Sequence, residues 1–152
     1  MRIKTLVCLC AAALIFLSTS LSADMPRCAA APQSWYDEFE LLARVIMGEA
    51  TGEPFLGMVA VGAVIVNRTK DPAFPPTIAG VIYDPDAFES VTNGLIWTQN
   101  PTDEMYRAAE LALNGYDPTY GCTFFWNPYK PVSPWIWTRP IVTQIGNHVF
   151  AY

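Results

Sequence analysis

Glu49 is the residue of this sequence best placed for acid chemistry. It continues the helical spacing of Leu42, Val45 and Ile46, so it falls on the apolar face of a helix, at its C-terminal end. Apolar surroundings and the negative end of a helix dipole both favour the protonated form of a carboxyl group. A proton held near neutral pH is what a general acid uses to protonate a glycosidic oxygen. Spacing alone is equally compatible with a boundary glutamate turned outward at a frayed helix end. Glycosidases usually add a second carboxylate. Glu53, Asp84, Asp86 and Glu89 qualify by type, and each also reads as a solvated loop acid. Glu53, beside Pro54, also reads as a cap on the next helix.

A second chemistry is a thiol nucleophile at Cys122 with His148 as its base. Against it, Cys122 suits a disulfide and His148 a strand surface. The aromatic residues Phe124, Phe125, Trp126, Tyr129, Trp135 and Trp137 offer a third possibility, a non-catalytic glycan-binding face. Trp and Tyr present an apolar ring with a polar tip, which suits sugar faces. Alternate residues should divide between cleft and core, with Trp126 and Trp137 in the cleft. Asn127 and Phe88 complete the substrate-binding candidates. The single histidine excludes a histidine-rich metal site, and no Gly-rich phosphate loop appears. Asn67-Arg68-Thr69 matches a glycosylation pattern but falls at the end of a buried helix.

These residues need positioning elements. Ser34 with Asp37 resembles a helix N-cap with an acid at the third position, opening a helix from Trp35 to about Gly48. Thr51-Gly52-Glu53-Pro54 breaks it, and Pro54 suits the first turn of a second helix running to about Arg68. That helix is apolar almost all round, so it should be the buried central element, with Gly57 and Gly62 allowing close approach by neighbours. A short helix is expected over Thr77 to Tyr83. The segment from Asp84 to Gln99 has no period and reads as irregular, as cleft segments often do. A helix opening at Asn100-Pro101-Thr102-Asp103 stops at Gly115. Thr123 to Trp126 is extended, and Val142 to Ile145 and His148 to Tyr152 suit two short strands around Gly146-Asn147. Helices first and short strands near the C-terminus indicate an α+β domain.

The chain has 152 residues, 52% hydrophobic and 15% charged, with a net charge of -5. Such a composition forms a core and excludes wholesale disorder. Its acidity excludes nucleic acid as a partner, since phosphates need a basic face. Arg2 and Lys4 precede an apolar run from Leu6 to Leu17, shorter than the roughly 20 residues of a membrane-spanning helix. Small residues follow to Ala23. Residues 1–23 therefore read as a signal peptide, 24–34 as a lead-in and 35–152 as the catalytic domain. The product is expected to be a monomer, secreted or periplasmic at the cell wall, without stable membrane insertion. Removal of Cys8 and Cys10 leaves Cys28 and Cys122, which an oxidising compartment would join.

Four ordered blocks carry a resemblance. They are ARVIMGEATGEPFLGMVAVGAVIVNR (Ala43 to Arg68), FPPTIAGVIYDPDAF (Phe74 to Phe88), DPTYGCTFFWNP (Asp117 to Pro128) and WIWTRPIVTQIGNHVFA (Trp135 to Ala151). Together they resemble the spore-cortex-lytic type of bacterial cell wall hydrolase over essentially the whole chain from Trp35. The resemblance implies a small lysozyme-like α+β domain acting on peptidoglycan glycan strands. It implies cleavage between N-acetylmuramic acid and N-acetylglucosamine by a lytic transglycosylase. It places the catalytic acid on the glutamate of Gly48-Glu49-Ala50, and no cofactor. Cys122 and Thr123 depart from the small or apolar residues typical before the aromatic run, and no separate wall-binding module is present.

Overall fold

The computed structural model describes residues 33–152. The signal-peptide reading, most of the lead-in and Cys28 lie outside the described residues.

Helix α1 spans Gln33–Ala50. Leu42, Val45 and Ile46 are wholly buried, as their spacing requires. The helix begins just ahead of the expected Trp35 and passes through Gly48 and Glu49 before ending. Thr51 then donates its hydroxyl to the Met47 carbonyl, and the chain turns through Gly52. Helix α2 spans Phe55–Arg68, with Pro54 as its N-cap residue and not its first helical one. Every residue from Gly57 to Ile65 is buried, so the valine-rich run is the central helix. A Cβ on Gly62 would stand 3.0 Å from both Ala112 Cβ and Ile46 Cδ1. Bare backbone there lets α1 and the later helix that carries Ala112 close on α2. Gly57 does not serve this purpose; a Cβ there would meet Glu53 and Pro54 at its own helix's start.

Helix α3, Ile78–Ile82, is capped by Thr77, whose hydroxyl accepts from the Gly80 N–H. Helix α5, Asp103–Leu113, is capped by Thr102 at one end and followed by Gly115 at a positive φ of 88°. Between α3 and α5, the segment expected to be irregular contains two short elements. Helix α4 spans Glu89–Thr92, and a single 3-10 turn covers Leu95–Trp97. Neither has enough residues to show a period. Two arginines attach this segment to the helical core. Arg44 on α1 donates to the carbonyls of Ile96 and Gln99 at 3.1 and 3.0 Å and lies over the Trp97 ring. Arg68, at the end of α2, lies against the rings of Phe74, Phe88 and Phe124 and donates to the Thr123 carbonyl at 2.7 Å.

Strands β1 (Phe124–Trp126), β2 (Ile141–Ile145) and β3 (His148–Ala151) form one antiparallel sheet in the order β1-β3-β2. All four residues of β3 are buried. Phe150 packs with Ala60 and Val64 of α2, while Val149 and Ala151 pack with Trp126 and Ile136 on the other face. The 3-10 turn Pro134–Thr138 supplies Ile136 and covers that outer face. A two-sided central strand explains why β3 lacks the polar alternation of a surface strand. Among the described residues no helix is long and apolar enough to cross a membrane.

Candidate active site

A cleft of about 400 Å³ lies between the helical part and the sheet. Gly48 and Glu49 of α1, Glu89 and Ser90 of α4, and Asn93 and Leu95 form one wall. Phe125, Trp126, Asn127, Lys130 and His148 line the other, with Pro131 and Val132 at its edge.

Glu49 is half-buried in this cleft. Its Oε1 accepts two hydrogen bonds from Ser90, from the hydroxyl at 2.6 Å and from the backbone N–H at 3.1 Å. Two donors on one oxygen orient the carboxyl group and occupy Oε1 as an acceptor. Any proton the group carries for transfer therefore sits on Oε2. Ser90 can come so close because its neighbour on α1 is glycine. A Cβ on Gly48 would stand 2.4 Å from Ser90 Cβ and 2.5 Å from its Oγ. Ser90 was not a sequence candidate. The only signal for it was the small residue at position 48, which leaves a place for something to pack.

The four candidate second carboxylates separate. Glu89 lines the cleft and is exposed. Asp84 and Asp86 are exposed and do not line it. Glu53 is neither a solvated acid nor a cap on α2. Its side chain is 7% exposed, and it binds Asn147, accepting from the backbone N–H at 2.8 Å and from Nδ2 at 3.0 Å.

The aromatic expectations divide in a similar way. Trp126 lines the cleft but is 5% exposed, and its Nε1 has no hydrogen-bond partner among the described residues. Trp137 corrects the expectation of a cleft residue: it does not line the cleft, and stands half-exposed, meeting Trp126 edge-to-face with centroids 5.6 Å apart. Asn127 lines the cleft, and its Oδ1 accepts from the Tyr129 N–H. Phe88 corrects the expectation of a sugar contact. It is 3% exposed, stacked on Phe125 and against Arg68, so it supports α4 from behind. Burial pushes the Arg68 guanidinium down to about 10, against the opposing pull of Asp84 and Glu49.

Cys122 and His148 do not form a nucleophile and base. Cys122 is wholly buried against Ala60, Val64 and Phe150, and burial pushes its thiol up to about 11. Among the described residues Cys122 is a free thiol, and its expected disulfide partner Cys28 lies outside them. His148 lines the cleft instead of standing on a strand surface, and it is 7% exposed. Asn67 donates its side-chain amide to Asp117 and to the Cys122 carbonyl, which removes it as a glycan acceptor. No group of three or more His, Cys, Asp or Glu side chains among the described residues could hold a metal ion.

Residues 52–151 match the cell wall hydrolase family. The chain belongs to that family. The match begins just past Glu49, so the family assignment and the geometry around Glu49 are separate observations. This cell wall hydrolase is 45% identical over 120 residues to the spore cortex-lytic enzyme of Oceanobacillus iheyensis, covering 78% of this chain and 43% of that protein. It thus spans less than half the length of that relative. Two solved structures are similar. The catalytic domain of the Bacillus cereus SleB protein matches at a TM-score of 0.72 and 43% identity, over 77% of this chain and 91% of that one. The catalytic domain of the germination-specific lytic transglycosylase SleB from Bacillus anthracis matches at 0.73 and 40%, over 82% and 98%. The fold of this cell wall hydrolase is therefore that of the SleB catalytic domain: helices first, with three short antiparallel strands at the C-terminal end.

Proposed function

We propose that this protein cleaves peptidoglycan glycan strands between N-acetylmuramic acid and N-acetylglucosamine as a lytic transglycosylase, with Glu49 as both acid and base. The observation that carries this reading is the Glu49 carboxyl in the cleft, with Oε1 held by two donors from Ser90. Its family and its likeness to SleB catalytic domains support the same chemistry.

Glu49 Oε2 gives its proton to the glycosidic oxygen as the bond from that oxygen to the muramic C1 breaks. The acetamido oxygen of the same sugar stabilises the positive charge developing at C1. Glu49, now a carboxylate, takes the proton from the 6-hydroxyl, and O6 bonds to C1. The products are a free 4-hydroxyl end and a 1,6-anhydro ring, with Glu49 reprotonated. One carboxyl group suffices because the reaction returns the proton it spends. Trp126 and Asn127 hold the sugars at the sheet side of the cleft, and Trp137, packed on Trp126 beyond the lining, extends that surface. Residues 1–23 direct export to the cell wall, and the chain acts there as a monomer. Electrostatics will not hold it there: without Arg2 and Lys4 of residues 1–23 the net charge goes from -5 to -7, and such an acidic chain is not drawn to an anionic wall.

The test is Glu49→Gln, which keeps shape and loses the transferable proton. Release of anhydro-muropeptides from purified sacculi, followed by mass spectrometry, should fall by about 10²- to 10⁴-fold or more, since one group serves twice. The thermal midpoint should hold. Near-normal release by this variant would refute the proposal.

A further inference from the structure

His148 has an environment that neither the fold nor Glu49 explains. It opens β3 with its side chain 9% exposed, and it lines the cleft with Glu49. Its ring meets Phe125 edge-on at 5.3 Å and Phe150 at 6.5 Å. An apolar residue would make those contacts without burying a polar atom. Yet Nδ1 is buried and has no hydrogen-bond partner among the described residues. Such orphans are rare in native proteins and call for a reason.

The nearest charged group explains the ring's orientation. Glu53 Oε1 stands 4.0 Å from Nδ1. Glu53 is itself clamped, since both its oxygens accept from Asn147, the residue just before His148. The turn that carries them fits around this carboxylate. Gly146 has a φ of 60°, and a Cβ there would stand 2.1 Å from Glu53 Oε2 and 2.7 Å from Pro54 Cδ. The break between α1 and α2 therefore sets the position of the β2–β3 hairpin, and with it the His148 ring. A carboxylate facing Nδ1 favours the tautomer with the proton on Nδ1, which leaves a lone pair on Nε2.

We propose that His148 contacts the glycan, accepting a hydrogen bond from a sugar hydroxyl through Nε2, and that Glu53 is its positioning residue. This rests on the cell wall glycan reading above. Burial holds His148 toward its neutral form, Glu53 and Glu49 pull the other way, and Lys130 opposes them. Protonation at low pH would place a proton on Nε2 and remove the acceptor. Activity should therefore fall on the acid side as His148 charges.

The experiment compares His148→Phe, His148→Gln and Glu53→Gln in the full chain. Release of anhydro-muropeptides is followed across pH, with thermal unfolding in parallel. Binding of soluble glycan strands is measured in the Glu49→Gln background. His148→Phe should lower kcat/KM by about 10-fold, the worth of one hydrogen bond of about 1.4 kcal/mol, without lowering the thermal midpoint. It should weaken glycan binding by a similar factor. His148→Gln, which restores an acceptor, should recover most of the loss and abolish the acid limb. Glu53→Gln should move that limb to lower pH, because a group favouring the charged imidazole is gone. Unchanged activity and binding in His148→Phe would overturn the inference while leaving the Glu49 chemistry intact. Equal losses in Phe and Gln with a lowered midpoint would make His148 structural and overturn it too. A wild type that binds strands through His148 but releases nothing would refute only the catalytic reading. One that neither binds nor cleaves would overturn both.

Discussion

Ser90→Ala isolates the contact that orients Glu49. The substitution removes the hydroxyl that donates to Oε1 at 2.6 Å and keeps the Cβ that packs on Gly48. The backbone donor at 3.1 Å also remains. In the proposed reaction Glu49 becomes a carboxylate as its proton leaves, and a hydrogen bond to a charged group contributes about 1.5–3 kcal/mol. Glu49 is only half-buried, so the lower end of that range applies. About 1.5–2 kcal/mol is a loss of roughly 10- to 30-fold in rate, at about 1.4 kcal/mol per decade. That is well short of the loss expected for Glu49→Gln, because the proton donor survives and only its orientation loosens. Initial rates of anhydro-muropeptide release from purified sacculi give the comparison. Thermal unfolding should show a shift of only a few degrees, since one small polar contact is lost at a site already closed by α1. A Ser90→Ala enzyme within twofold of wild type would refute the argument that this hydroxyl orients the acid.

Other consequences of the geometry can be checked alongside it. Gly48→Ala should lose both activity and stability, because its Cβ would collide with Ser90 and overpacking costs about 1–3 kcal/mol; thermal unfolding and release assays together read this out. Cys122 should resist alkylation in the native protein and react fully in denaturant, since it is wholly buried and burial raises its thiol to about 11; rapid native labelling followed by intact mass would contradict the packing. Trp137→Ala should raise KM with little change in thermal midpoint, since Trp137 is 50% exposed, whereas Trp126→Ala should destabilise by about 3 kcal/mol or more, since Trp126 is 5% exposed in the core.

Much of the helical framework is readable without coordinates. Leu42, Val45 and Ile46 announce a face, and α1 buries it. The valine-rich run from Phe55 to Arg68 reads as a buried helix because it is too long and too apolar for a strand. Gly115 and Thr102 mark the ends of α5 through backbone preferences that act locally. The same local chemistry places β2 and β3 around Gly146-Asn147. Glu49 was legible because helical spacing and residue type coincide at one position.

The remaining site residues answer to contacts that spacing does not encode. α4 has too few residues to display a period, and Ser90 gains its role only from a partner 41 positions away. Trp126, Trp137 and Phe88 are alike in type, and only the sheet and the turn packed over it decide which is buried, which is exposed and which supports α4. Glu53 reads as a loop acid until the hairpin brings Asn147 to it across 94 positions. What the sequence determined by itself is therefore the longer helices, the α+β order and the place of the Glu49 carboxyl on α1, because hydrophobic periodicity and capping are short-range. What only the tertiary structure decided is how that acid is held, which wall faces it and where His148 points. Those depend on close approach between distant backbones, at Gly48 against Ser90 and at Gly146 against Glu53, where the absence of a Cβ permits the contact but does not name the partner.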